Sequence, residues 1–117
     1  MRIAMPRFQG EAFAANLELL SAFEALAAEV PCTPAQLCLA WLMAKDPTIV
    51  SIPGTTSPDH MRENAAAAGV VLPAGMVERV DTLVNDRTVA GPRYPAFMQA
   101  SVDTELTPAE AAGAEPA

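Results

Sequence analysis

The fold is decided by residues 33–57, which have the sequence TPAQLCLAWLMAKDPTIVSIPGTTS. Thr33 is a helix-capping residue type, and Pro34 fits the first position of a helix. Gln36 completes a capping box with Thr33, so the sequence predicts a helix over Thr33–Lys45. This helix is apolar nearly all round, which is typical of helices that are buried on more than one side.

A short strand is predicted directly after this helix, over Thr48–Ile52, with Pro47 before it and Pro53-Gly54 after it. The segment is mostly apolar without clean alternation, which is typical of a parallel strand covered on both faces. A lone strand cannot satisfy its own backbone edges, and the rest of the chain offers no convincing neighbour. The sequence therefore indicates part of a larger α/β structure.

Three more helices are predicted around this stretch. One runs from about Glu11 to Pro31, one from Ser57 to about Ala68, and one opens at Pro73. The first carries two apolar stripes, which predict a wide buried face: Phe13, Leu17, Leu20 and Leu19, Phe23, Leu26. Residues 1–9 are expected to form a loop, and residues 104–117 a disordered tail.

The charge and the composition disfavour several classes of function. A net charge of −7 opposes binding to nucleic acids and to anionic membrane surfaces. No apolar run approaches the ~18 residues of a membrane span, and the N-terminus does not resemble a signal peptide, so we expect a soluble cytoplasmic protein. Cys32 and Cys38 lack metal-site spacing, and His60 is the one histidine, so no metal site is predicted and both cysteines are expected to be buried.

Several motifs resemble the last third of bacterial aldo-keto reductases. Two stretches in the first part of the chain resemble family motifs: residues 6–11 (PRFQGE) and residues 32–42 (CTPAQLCLAWL). Further along, residues 52–55 (IPGT) are followed by Glu63-Asn64 at the distance found in the family. Residues 93–95 (RYP) add a match in the tail. Any one motif alone is weak, but together at these spacings they are specific.

The resemblance implies the C-terminal part of a (β/α)8 barrel, with residues 1–103 as its last strand, flanking helices and C-terminal loop. The family reduces carbonyls to alcohols with NAD(P)H, using an aspartate, a tyrosine, a lysine and a histidine that lie upstream of the matched region. The single lysine, tyrosine and histidine of this chain (Lys45, Tyr94 and His60) do not stand in that context. No catalytic residue is therefore assigned.

What would remain is the adenosine end of the cofactor site. A turn with Gly54 joins a strand end to a helix N-terminus, where free amides, hydroxyls and the helix dipole can hold a phosphate. The resemblance implies that Glu63 and Asn64 bind adenine and that Gly54, Thr55 and His60 surround the ribose 2′-phosphate. The predicted cofactor-binding residues are Pro53, Gly54, Thr55, Thr56, Ser57, His60, Glu63 and Asn64.

The family pattern fails at one point, because many relatives place lysine or arginine at positions 54, 56, 57 or 60. Here those positions hold Gly54, Thr56, Ser57 and His60. NADP(H) is the cofactor implied by the resemblance, and NAD(H) stays open. The plainer readings also stay open: capping hydroxyls, a solvated histidine and a surface carboxylate at Glu63.

Three organisations of the chain fit the sequence. In order of preference, it is a truncated piece of a reductase, a split-enzyme subunit whose barrel another chain completes, or a stand-alone helical nucleotide-binding or interaction module. We expect marginal or aggregation-prone behaviour if the apolar faces of Leu37–Met43 and Ile49–Ile52 are left uncovered.

Overall fold

The computed structural model of the chain describes residues 2–99 and 101, and within them it is helical. Five α-helices occur: α1 (Gly10–Glu29), α2 (Pro34–Lys45), α3 (Pro58–Ala66), α4 (Met76–Leu83) and α5 (Ala96–Gln99). Three short 3-10 turns accompany them, at Arg2–Ala4, Pro6–Phe8 and Ala67–Gly69. The disordered tail predicted over residues 104–117 lies outside the described residues.

Two compact units divide the chain. The terminal unit contains the described residues up to Leu20 and those from Val84 onward, and the central unit is Ser21–Leu83. The first half of α1 contributes to the terminal unit and its second half to the central unit.

The central unit has a small apolar core. The core is built from the end of α1, from α2 and from α4, and consists of Leu26, Ala27, Val30, Leu37, Met76 and Val80. Leu37 and Val80 have no exposed surface, and α2 packs against α3, the turn Ala67–Gly69 and α4. The helix α2 thus packs against several neighbouring elements, although only Leu37 and Ala40 among its residues are buried.

The capping signals predicted from sequence are confirmed at two helix starts. The Gln36 amide N–H donates to Thr33 Oγ1 at 3.2 Å, and the Thr33 amide N–H donates to Gln36 Oε1 at 3.0 Å, which is the predicted capping box of α2. Ser57 caps α3 with Pro58 at its first position. The helix predicted to open at Pro73 begins at Met76 instead, because Gly75 has a φ of 79°, outside the helical region.

The strand predicted over Thr48–Ile52 is wrong for this structure, since no strand occurs within residues 2–99 or at 101. Its first residues belong to a turn: the Ile49 N–H donates to the Asp46 carbonyl at 3.1 Å, and the Thr48 N–H donates to Asp46 Oδ1 at 2.8 Å. A β-strand forms its backbone hydrogen bonds with a neighbouring strand, and the described residues supply none. The apolar residues of the segment are exposed accordingly, with Ile52 at 91%.

Two expectations about burial are also wrong. Cys38 is exposed and Cys32 is half-buried, because Cys38 lies about 100° around α2 from the buried Leu37. In the terminal unit, the first apolar stripe of α1 stays more than 40% exposed: Phe13, Leu17 and Leu20. This stripe borders an open apolar pocket of about 280 Å³ rather than a core.

Side-chain hydrogen bonds of Asn16 and Arg7 hold the terminal unit together. Asn16 Nδ2 donates to the carbonyls of Arg7 and Ala90 at 3.2 and 3.0 Å, and the Ala90 N–H donates to Asn16 Oδ1 at 2.8 Å. Arg7 Nε donates to the Gly91 carbonyl at 3.0 Å. These bonds join distant parts of the sequence and account for the packing of the segment after Val89.

Within the described residues, no single helix is long and apolar enough to cross a membrane, and one bent pair, α1 with α2, meets the criterion by length and composition only.

Candidate cofactor-binding site

The turn that leads into α3 is held by its own hydroxyl groups. The Ser57 N–H donates to Thr55 Oγ1 at 3.1 Å, and the His60 N–H donates to Ser57 Oγ at 3.3 Å. Pro58 has no N–H to satisfy, so the cap and the proline together remove two of the donors that a helix N-terminus leaves open. The capping interpretation of Ser57 is therefore confirmed as a structural role.

This capping does not exhaust the hydroxyl groups. Thr55 Oγ1 and Ser57 Oγ each accept one hydrogen bond in the turn, and a hydroxyl also carries one proton that it can donate. The neighbouring Pro53, Gly54 and Thr56 are exposed, and a Cβ added to Gly54 would meet no heavy atom within 4 Å. The turn thus offers hydroxyl donors beside an uncrowded stretch of backbone.

The charged side chains of α3 are two carboxylates, Asp59 and Glu63, and one guanidinium, Arg62, so the helix carries no excess of positive charge. Asp59 stands in the first turn of α3, where it opposes an incoming anion, and its Oδ1 accepts a 2.9 Å ion-pair bond from Arg62 Nη1. Both side chains are largely exposed, at 91% and 70%. As the sequence predicts, no lysine or arginine occupies positions 54, 56, 57 or 60.

The second half of the candidate site lies further along α3. His60, Glu63 and Asn64 fall on this helix at spacings of three and four residues, so they share one face, with His60 exposed and the other two half-buried. The Glu63 carbonyl accepts a hydrogen bond from Gln36 Nε2 at 3.0 Å, which ties this part of α3 to the start of α2. Sequence reasoning had no signal for that bond, because the capping box already accounts for Gln36.

A groove of about 330 Å³ opens beside Asn64. Its walls are mostly aliphatic and come from α2, from the segment before α3 and from α3: Leu39, Met43, Ser51, Pro53, Met61, Asn64, Ala65 and Ala68. The Ser51 hydroxyl oxygen is buried and has no hydrogen-bond partner. An apolar groove with an amide and a hydroxyl in its wall is chemically suited to a flat heteroaromatic ring.

The single lysine of the chain, Lys45, has a structural role. Lys45 Nζ forms a 2.5 Å ion pair with Asp81 Oδ2, and Trp41 Nε1 donates to Asp81 Oδ1 at 2.8 Å. These two donors, Lys45 first, hold the pKa of Asp81 below its usual value. Tyr94 is half-buried and stacks under the Arg93 guanidinium at 5.3 Å, in the terminal unit.

The part of the chain that the structure describes contains no candidate metal-binding cluster. No group of three or more histidine, cysteine, aspartate or glutamate side chains there is arranged to hold an ion.

The features above define a helical chain whose best-formed polar site is a capped turn and the helix face that follows it. The family model for the aldo/keto reductase family matches residues 3–85, most of the chain. The chain therefore belongs to the aldo/keto reductase family, which is a family of oxidoreductases.

Similar proteins carry the same family name. The chain is 40% identical over 90 residues to aldo-keto reductase yakc [NADP(+)] of Schizosaccharomyces pombe, covering 77% of this chain and 26% of that protein. It is 34% identical over 101 residues to an aldo-keto reductase of Gibberella moniliformis, covering 86% and 30%. The chain thus spans less than a third of the length of these relatives, and no solved structure matches it significantly.

Proposed function

We propose that this chain provides the adenosine end of a nicotinamide-dinucleotide site in an NAD(P)H-dependent aldo-keto reductase that reduces carbonyls to alcohols. The observation that carries the proposal is the capped turn at the start of α3, where the Thr55 and Ser57 hydroxyls stand together in an exposed loop. The Schizosaccharomyces pombe relative, whose name includes NADP(+), supports the cofactor class.

In this proposal the turn binds the 2′-phosphate through hydroxyl and backbone donors. Thr55, Thr56 and Ser57 supply the O–H groups, and the N-terminus of α3 supplies a partial positive charge. Gly54 leaves room for the phosphate to approach the backbone, since no heavy atom stands near its missing side chain. His60 lies in the first turn of α3 and is exposed beside this turn.

The base binds further along the helix. The Glu63 carboxylate accepts from the amino group of adenine, and Asn64 can donate and accept beside it. The aliphatic groove next to Asn64 receives the flat face of the ring. Only the adenosine half of the cofactor is held by this chain, and hydride and proton transfer belong to groups outside it.

The remaining barrel would cover the segment that the sequence predicts as a strand. Val50 and Ile52 are 81% and 91% exposed, and the described residues contain no strand with which the backbone around them could pair. Neighbouring strands, on the same polypeptide or on a second one, would satisfy that backbone and bury both side chains. A complete reductase and a split enzyme are both compatible with this arrangement.

The experiment is thermal unfolding of the chain by circular dichroism, with and without NADP⁺ or NAD⁺ at about 100 times the dissociation constant. A working site raises the free energy of unfolding by about 2.7 kcal/mol under that condition. Ser57→Ala should reduce the shift produced by NADP⁺ more than the shift produced by NAD⁺, because the hydroxyl faces the 2′-phosphate in this proposal.

The matched control is Thr82→Ala, which removes a hydroxyl that donates to the Glu78 carbonyl on α4. It should leave both nucleotide shifts unchanged. A cooperative melt that neither nucleotide shifts would contradict the proposed site. A shift without any added barrel chain would show that this segment binds nucleotide by itself.

The absence of lysine and arginine at positions 54, 56, 57 and 60 allows a test of the preference for NADP⁺ over NAD⁺. His60→Arg should increase the preference for NADP⁺ over NAD⁺ by about tenfold, since a charge-assisted hydrogen bond to phosphate contributes about 1.5 kcal/mol or more. Binding ratios from isothermal titration calorimetry measure it. An unchanged ratio would mean that position 60 lies away from the 2′-phosphate.

A further inference from the structure

Both polar atoms of the Gln36 side-chain amide form hydrogen bonds. Its Oε1 accepts from the Thr33 N–H at 3.0 Å inside the capping box, and its Nε2 donates to the Glu63 carbonyl at 3.0 Å. The first bond belongs to α2 and the second reaches across to α3. A residue that sequence assigns to a helix cap therefore also connects two helices.

The carbonyl that Gln36 reaches lies in the last turn of α3, where the helical hydrogen-bond pattern changes. The helix tightens into the 3-10 turn Ala67–Gly69, and the Ala67 N–H donates to the carbonyls of Asn64 and Ala65. Gln36 therefore acts as a C-terminal cap for α3 that is supplied by another helix.

We propose that Gln36 is a positioning residue for base recognition: its amide fixes the backbone turn from which Glu63 and Asn64 face the nucleotide base. The inference rests on the proposed function, because it assumes that these two side chains contact adenine. A shift or rotation of this turn moves both side chains together and changes how they meet the edge of the base. The turn that is proposed to bind the 2′-phosphate lies at the other end of α3, where the hydroxyls of Thr55 and Ser57 cap it.

Because the two ends of α3 are proposed to bind different parts of the nucleotide, discrimination between bases can be measured separately from discrimination at the 2′-phosphate. A purely structural role of Gln36 would not change the first without the second. Loss of the Gln36 donor should weaken discrimination between bases and leave discrimination at the 2′-phosphate unchanged. General damage to α2 should instead weaken the binding of all nucleotides alike.

The test compares Gln36→Glu with Thr33→Ala in the full chain. Gln36→Glu keeps an oxygen for the Thr33 N–H and loses the donor to the Glu63 carbonyl. Thr33→Ala removes the hydroxyl that caps α2 and leaves the Gln36 donor in place. Dissociation constants are measured for NADP⁺, for NAD⁺ and for the NADP⁺ analogue in which hypoxanthine replaces adenine.

The expected result is selective. Gln36→Glu lowers the preference for adenine over hypoxanthine about fivefold, the size of one hydrogen bond, and leaves the NADP⁺ to NAD⁺ ratio unchanged. Thr33→Ala leaves both ratios unchanged although it destabilises α2. If Gln36→Glu does not fold, Gln36→Met removes both hydrogen bonds of the amide at similar side-chain length, and Thr33→Ala then serves as the control for the lost capping box.

Other outcomes overturn the inference. If the adenine preference survives in the Gln36 variants, or falls equally in Thr33→Ala, Gln36 has no specific positioning role. A wild-type chain that binds nucleotide with no base preference also removes the role, while the phosphate part of the proposed function stands. A wild-type chain that binds no nucleotide removes the proposed function itself.

Discussion

The two halves of residues 33–57 differ in what they need from the rest of a protein. The first half forms α2, begins with a complete capping box and buries Leu37 entirely. The second half is the segment that the sequence predicts as a strand, and it leaves Ile52 91% exposed. The predicted strand Thr48–Ile52 is also mostly apolar, so hydrophobicity alone does not explain why it stays exposed.

The difference lies in where the backbone hydrogen bonds are made. A helix pairs its N–H and C=O groups within itself, and α2 needs from outside only an apolar surface, which α1 and α4 provide. A strand pairs with its neighbours, and the described residues contain no strand. The chain can therefore keep its helices while the segment Thr48–Ile52 stays without strand pairing.

The largest expected effect comes from a pair of truncations that sets one half against the other. Leu37→Ala removes a fully buried side chain and should cost about 2–5 kcal/mol of unfolding free energy. Ile52→Ala removes a side chain that is 91% exposed and should change it by less than about 0.5 kcal/mol. Urea unfolding followed by circular dichroism measures both.

The same pair also tests whether missing strands would cover the segment. If a chain that supplies neighbouring strands is added, the cost of Ile52→Ala should rise toward that of Leu37→Ala, because the side chain becomes buried. A substantial cost of Ile52→Ala in the isolated chain would show that the segment is already packed and would break the comparison.

A smaller difference in stability is expected between variants of two threonines. Thr33 precedes α2, and Thr48 begins the predicted strand. Thr33→Ala removes the hydroxyl that accepts from the Gln36 N–H and should cost about 1 kcal/mol. Thr48→Ala removes only the 2.6 Å bond to Asp46 Oδ1, while the Thr48 N–H keeps its own bond to the same oxygen. Its effect on the thermal midpoint should be clearly smaller, and equal effects would mean that the turn contributes as much as the cap.

The sequence predicted the local features well because their signals are local. The capping box at Thr33 and the cap at Ser57 are recognisable from residue types at fixed spacing, and the structure confirms both. The predicted strand failed because strand formation depends on residues far along the chain, which no local pattern contains. For the same reason the bond from Gln36 to Glu63 could not be predicted.

The candidate site divides in the same way. The turn around Ser57 and the shared helix face of His60, Glu63 and Asn64 follow from spacing, and the structure places them on one continuous element. The groove beside Asn64 depends on how α2 and α3 pack together, so only the structure reveals it. Which base or phosphate these groups contact stays a prediction for the binding experiments above.

The smallest expected effect concerns the far end of α2, where Asp81 of α4 accepts from both Trp41 and Lys45. Lys45, and then Trp41, holds the pKa of Asp81 below its ordinary value of 3.8, so the folded state binds this proton less tightly than the unfolded state. The stabilisation is therefore complete above the ordinary pKa and is lost as the pH falls through the lower, folded value. Asp81→Asn keeps an acceptor for Trp41 and loses the ionic attraction to Lys45.

The wild-type chain should thus unfold at a slightly higher temperature than Asp81→Asn at pH 7, and the gap should close as the pH falls through the lowered pKa of Asp81. Because both ion-pair side chains are more than a third exposed, added salt should also narrow the gap at pH 7. A gap that persists in acid would show that Asp81 acts through hydrogen-bond geometry rather than charge. In that case the far end of α2 would be held in the same way as its start, by neutral hydrogen bonds, and only the exposed segment after it would depend on partners outside the described residues.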